Sequence, residues 1–183
     1  MSSQHSSSDS GSVLGQDAAT YTDMSSPILI IGAGPVGMLL AYTLSRLNIP
    51  SMLIEQSPAH STTQYPKMDL TNSRSMEILQ LLGLADRYRA LDGAVSAEEK
   101  FDSIFVTSLA PAGKIVGSWR VGSVEDQRRD IGRVNDGSQP VEPGQRCSQI
   151  VFESWMRRVI LQSNMVRFQG GWKFVGLVEE EIE

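Results

Sequence analysis

Four residues carry the clearest chemical signal in the chain: Gly32, Gly34, Gly37 and Glu55. The glycines stand in Gly32-Ala33-Gly34-Pro35-Val36-Gly37, the spacing G-x-G-x-x-G. Between a strand and a helix, that spacing suits the pyrophosphate of a dinucleotide. The first glycine permits a tight turn, the second lacks a Cβ and lets phosphate reach the backbone, and the third lets helix and strand pack closely. The unpaired N–H groups and the dipole of the helix start favour an anion. Pro35 suits the first helical turn, where a missing N–H costs nothing. Glu55 falls about 20 residues past the glycines, where a ribose hydroxyl needs an acceptor. A carboxylate there disfavours a 2′-phosphate, which argues against NADP in this site. The plainer reading is a glycine turn in an ordinary βαβ unit, with Glu55 a solvated strand end.

These residues need a strand, a helix and a second strand to position them. Residues 28–31 form an apolar, β-branched run, expected to be a buried strand of a parallel sheet. Val36, Leu39, Leu40, Thr43, Leu44 and Leu47 recur at helical spacing and predict one buried stripe. Asn48 and Pro50 end that helix, and residues 51–54 read as the second strand, ending on Glu55.

Further along, residues 56–66 read as a loop, and Thr71, Asn72 or Ser73 can cap a helix carrying Met76, Ile78, Leu79 and Leu82 and ending at Gly83. Arg74 and Glu77 can pair within it. A short helix over 84–91 follows. Residues 101–106 and 114–119 read as two strands around the Ala110-Pro111-Ala112-Gly113 turn. Residues 122–146 are polar and are expected to form a long surface loop. Ser148 then caps an amphipathic helix burying Phe152, Trp155, Met156, Val159 and Ile160. Residues 165–168 and 172–178 read as two more strands. The class is α/β.

The 183 residues suit one domain with room for an appendage, and the formal net charge is −5. No basic stripe suits nucleic acid or an anionic membrane, and no apolar run reaches transmembrane length. The single cysteine, Cys147, excludes an intrachain disulfide and, with two scattered histidines, argues against a zinc site. It reads as a small apolar residue. His60, in a polar loop, reads as inert. Residues 1–26 are Ser-rich, with too little apolar content to order themselves, and carry the features of neither a signal peptide nor a mitochondrial presequence. They are read as a disordered leader on a soluble, cytoplasmic chain, with residues 27–183 as the folded part.

Three stretches in this order carry a family resemblance: GAGPVGMLLAYTLSRLNIPSMLIEQ, PKMDLTNSRSMEILQLLGLADRYRA and CSQIVFESWMRR. Together, across about residues 27–178, they resemble the FAD-dependent aromatic hydroxylases. These are the group A flavoprotein monooxygenases, which include para-hydroxybenzoate hydroxylase and the phenol hydroxylases. The resemblance implies a Rossmann-like FAD-binding domain with the beginning of a substrate-covering β-sheet, to which the strand pair at about 101–120 would belong. It implies FAD, with its ADP half at Gly32, Gly34, Gly37 and Glu55. Lys67 matches a position where many members carry an arginine facing the flavin side; lysine keeps the charge but loses the planar fork. Gln149 matches a glutamine that hydrogen-bonds the cofactor. The implied activity is monooxygenation of an electron-rich aromatic or phenolic small molecule, with NAD(P)H as transient electron donor. No catalytic acid or base stands out.

Family members are typically more than twice this long. Two later signatures, an Asp-Gly strand end and a Gly-Asp segment, are absent; Asp92-Gly93 and Asp136-Gly137 do not follow apolar strands. The sequence therefore reads as a truncated FAD-binding domain whose first strand has an open edge, marginally stable alone and open to a protein partner. Two other readings stay open: a non-catalytic remnant or partner subunit of such an enzyme, and an NAD-linked dehydrogenase fragment.

Overall fold

The structure is a computed structural model that describes residues 26–58, 67–100, 102–134 and 136–179. Residues 1–25 of the leader and His60 lie outside the described residues. The chain opens with β1 (Ile28–Ile31), α1 (Pro35–Arg46) and β2 (Ser51–Glu55). Next come β3 (Leu70–Thr71), α2 (Ser73–Leu81), α3 (Ala85–Arg89) and the hairpin β4 (Ser103–Val106) and β5 (Ile115–Trp119). The last elements are α4 (Val124–Val134), β6 (Gln145–Arg146), α5 (Gln149–Ile160) and β7 (Val166–Gly170).

The main sheet is parallel, in the order β1-β2-β7, with Ile28 opposite Ser51 and Ser51 opposite Val166. Helix α1 crosses from β1 to β2 and packs on β2, β7 and α5. The core gathers Met38, Ala41, Leu53, Met76, Leu79, Leu84, Met156 and Ile160 around a trio of aromatic rings. Tyr88 meets Phe152 edge-on at 5.2 Å and stacks on Trp155 at 5.7 Å. The five residues predicted for the inner face of α5 are all buried.

Local capping explains several boundaries. Asn72 Oδ1 accepts the Ser75 N–H at 2.9 Å and starts α2, and Gly83 ends it at φ 71°. Arg74 pairs with Glu77 at 3.5 Å, as the spacing predicts. Ser148 takes the N-cap position of α5 but makes no side-chain capping bond. The hairpin β4–β5 is antiparallel, as expected.

Four expectations need correction. First, β1 is not a buried strand: Ile28, Leu29 and Ile31 are 44%, 47% and 53% exposed, and only its Ile30 is buried. Among the described residues it lies at the edge of its sheet and pairs only with β2. Second, α1 buries Met38 and Ala41, with Leu39, Tyr42 and Leu44 partly covered, whereas Val36, Leu40 and Leu47 are exposed. The close approach of Gly37 to Gly32 turns the 37/38/41 face inward and leaves Val36 and Leu40 beside the uncovered side of β1.

Third, residues 122–146 are not a loop throughout, because they contain α4 and β6. A reciprocal cap starts α4: Asp126 N–H donates to Ser123 Oγ at 3.0 Å and Ser123 N–H to Asp126 Oδ2 at 3.1 Å. Arg129–Asp126 and Arg133–Asp130 pairs at i, i+3 support a helix that buries little beyond Val124. Fourth, residues 172–178 form no strand, since Gly171 at φ 80° breaks the run after β7. No helix among the described residues is long and apolar enough to cross a membrane.

Candidate functional site

The glycine turn joins β1 to α1. Gly32 sits at φ 98°, a conformation side chains resist, and its N–H donates to Ile54 O on β2 at 2.8 Å. A Cβ on Gly37 would overlap the Gly32 carbonyl oxygen, so helix and turn touch only because that position is glycine. A Cβ on Gly34 would meet nothing within 4 Å. Gly34 therefore faces open space at the start of α1, whose first intrahelical bond runs from Met38 N–H to Gly34 O at 3.0 Å. The N–H groups of that first turn precede the helical ladder, and no acidic side chain stands among them.

Glu55 ends β2 beside this turn. Its Oε2 accepts the Ala33 N–H at 2.9 Å and its Oε1 the Ser57 N–H at 3.0 Å. Partial burial works to raise its pKa, but the N–H groups of Ser57 and Ala33 outweigh that and hold the carboxyl below its ordinary value. The ionised carboxylate ends β2 where a ribose hydroxyl needs an acceptor. The open approach at Gly34, the helix start and the ionised acceptor together fit the ADP half of a dinucleotide.

Lys67 and Gln149 meet in a second place. Gln149 Oε1 accepts the Lys67 backbone N–H at 2.7 Å, and its Nε2 donates to the buried Glu153 carboxylate at 2.7 Å. This contact is built by two short strands: β3 and β6 pair antiparallel, and beyond them Cys147 N–H reaches Asp69 O and Gln149 N–H reaches Met68 O, each at 2.9 Å. It is the Lys67 backbone that the structure engages, and the residue itself is exposed. Cys147 is buried, and burial pushes its thiol pKa up, which suits packing rather than nucleophilic chemistry.

A groove opens beside this ribbon, between it and the β4–β5 hairpin, lined by Leu70, Asn72, Ser103, Trp119, Val121 and Arg146. Beneath the ribbon lies a buried polar cluster that sequence reasoning misses. Arg89 donates to Gln145 Oε1, Glu142 Oε2 and Pro143 O, each at 2.7 Å, and Arg128 approaches Glu142 at 3.5 Å. Nothing local in the sequence announces it, because these partners lie 53 to 56 residues from Arg89.

The fold and the glycine turn define a nucleotide-binding α/β unit of the βαβ kind. More narrowly, the chain belongs to the FAD binding domain family, which matches residues 25–131, a span that includes the glycine turn, Glu55 and Lys67 but not Gln149. It is 42% identical over 152 residues to the FAD-dependent monooxygenase apdD of Emericella nidulans, covering 83% of this chain and 24% of that protein. It is 32% identical over 129 residues to a phenol 2-monooxygenase of a Pseudomonas species, covering 65% of this chain and 20% of that protein. Among solved structures it resembles the flavin-dependent monooxygenase PieE in complex with FAD and substrate, at TM-score 0.67 and 28% identity, over 85% of this chain and 25% of that one. The chain thus spans about a quarter or less of the length of these relatives.

Proposed function

We propose that the chain carries the ADP-holding part of an FAD-dependent monooxygenase that uses NAD(P)H to hydroxylate an aromatic or phenolic small molecule. One observation carries this reading: the open approach to Gly34 at the start of α1, with the ionised Glu55 beside it, in a chain whose relatives are named monooxygenases. In this reading Gly32 and Gly37 shape the turn, Gly34 admits the pyrophosphate to the N–H groups of α1, and Glu55 takes the ribose hydroxyls. Bound FAD would supply the redox chemistry. Lys67 and Gln149 serve the flavin side, where the side chain of Gln149 is already oriented by Glu153. The groove beside them, with Leu70 and Trp119 in its wall, suits an aromatic ring.

The uncovered apolar edge supports a further element. Ile28, Leu29, Ile31, Val36 and Leu40 lie exposed together along β1 and the start of α1. We infer that another polypeptide segment covers this edge in the active protein. A cytoplasmic setting fits the use of NAD(P)H.

A fluorescence titration with FAD, followed by gel filtration and an absorption spectrum, tests the assignment. Saturable binding displaced by ADP, with flavin bands perturbed by added phenols, supports it. A folded chain that binds neither FAD nor ADP overturns it.

A further inference from the structure

We propose that Tyr88 and Arg89 form a two-pronged clamp, in which Arg89 is a positioning residue that keeps the β3–β6 ribbon in register and so sets the Lys67–Gln149 contact. The functional side of this inference rests on the reading that Lys67 and Gln149 face the flavin.

The two residues are consecutive, at the end of α3, and each grips a different strand. The Tyr88 hydroxyl lies 2.8 Å from Thr71 Oγ1 on β3. Arg89 reaches the other strand, donating to the Gln145 side chain of β6 and to Glu142 and Pro143 just before it. The Arg89 side chain is 9% exposed and that of Glu142 8%, so this ion pair is shielded from water. Gln145 passes the restraint on, because its Nε2 donates to the Val95 and Arg146 carbonyls at 2.8 and 2.9 Å. Gly144 lies so close to Thr71 that a Cβ would come within 3.1 Å of the Thr71 oxygen, leaving the segment little freedom to shift.

The ribbon needs such a restraint. β3 and β6 contribute two residues each, far below the usual strand length of about five. A pairing that short does not fix its own register. From the clamped end the ladder runs through Leu70 opposite Arg146, Cys147 N–H to Asp69 O and Gln149 N–H to Met68 O, and finishes where Gln149 accepts from Lys67. A slip of one residue at Gln145 would move Gln149 away from Lys67. Lysine at position 89 keeps the charge but cannot supply the planar fork that spans three acceptors.

The test uses Arg89→Lys, Arg89→Met and Glu142→Gln in the full chain, with two readouts. The first is amide hydrogen exchange, which needs no cofactor. Exchange at Lys67, Cys147 and Gln149 is expected to quicken about tenfold or more in Arg89→Met and less in Arg89→Lys, while Ile28 and Gly32 are unchanged. The second is affinity. FAD is expected to weaken about tenfold and ADP to hold, because the ADP half sits at the distant glycine turn. Unchanged exchange, equal quickening at all five amides, or equal weakening of FAD and ADP would each overturn the clamp. If Arg89→Met does not fold, Arg89→Lys and Glu142→Gln decide by the same criteria. A wild-type chain that binds no FAD would remove the assignment of the site, while the exchange pattern would still decide the clamp.

Discussion

Gln149 accepts the backbone N–H of Lys67 across 82 residues of sequence, and with its other end donates to Glu153. One side-chain amide thus ties an exposed segment to a buried carboxylate on α5. Its orientation is fixed, since the oxygen must face the Lys67 N–H and the nitrogen the carboxylate.

Gln149→Leu removes both bonds at nearly constant volume. It is expected to lower stability by about 1–3 kcal/mol, with the upper part of the range set by the buried carboxylate. Urea denaturation at neutral pH measures it; a change within about 0.5 kcal/mol, the scatter of ordinary surface substitutions, would contradict the geometry.

Variants at Gly34 and Gly37 are expected to separate binding from folding. Gly34→Ala adds a Cβ into open space, so stability is expected to fall by no more than about 1 kcal/mol, the cost of alanine at a helix N-cap. FAD affinity, read by fluorescence titration, is expected to fall sharply. Gly37→Ala drives a Cβ into the Gly32 carbonyl and is expected to cost about 1–3 kcal/mol as helix and turn move apart. If both variants lose stability equally, the assignment of their separate roles fails.

Glu55 makes stability depend on pH with a definite sign. Its folded pKa lies below the ordinary value of 4.5, so its stabilising contribution is fully present above about that pH. The contribution is lost as pH falls through the folded value. Glu55→Gln is therefore expected to destabilise the chain at pH 7 and to match the wild type once the carboxyl is protonated. Denaturation midpoints of the two proteins across pH 2–7, on the order of five units, should converge at the acid end; a constant gap would refute it.

Helix α4 depends on its cap and its surface pairs. Ser123→Ala removes the Oγ that accepts the Asp126 N–H and is expected to cost about 1 kcal/mol of local stability. Amide exchange across α4 should quicken while exchange in β2 stays constant. Added salt should quicken it further by screening the Arg–Asp pairs.

The apolar edge offers a test of exposure. Val36 is 82% exposed in the first turn of α1, where a carboxylate is favoured by the helix dipole. Val36→Glu is expected to reduce binding of a hydrophobic dye without lowering stability at neutral pH. An unchanged dye signal would mean that this edge is covered in the isolated chain.

The glycine turn and α5 were legible because their signals are local: residue spacing alone defines them. The orientation of α1 was not, because hydrophobic spacing identifies an apolar stripe but not which stripe faces the sheet. Contact between Gly37 and Gly32 decides that, and leaves Val36 and Leu40 outward. The expected loop at 122–146 failed for the opposite reason. Ser123 and Asp126 form a readable cap, but the helix after it has little apolar face to mark it. Resemblance singled out Lys67 and Gln149 one by one, each toward the cofactor, but not their contact with each other, and the Arg89 cluster that supports their ribbon depends on pairings across more than 50 residues and leaves no local trace.

The order of the main sheet has a consequence for how the chain is made. β1 and β2 pair across a single helical crossover and can meet early. β2 gains its second neighbour only when Val166 comes opposite Ser51, more than a hundred residues later. During synthesis the middle strand must wait with one side bare while α2 to α5 emerge, a long-range closure that is slow and exposes the nascent chain to aggregation. A chaperone that shields the bare side of β2 would shorten that hazard, and slower translation after residue 55 would lengthen it.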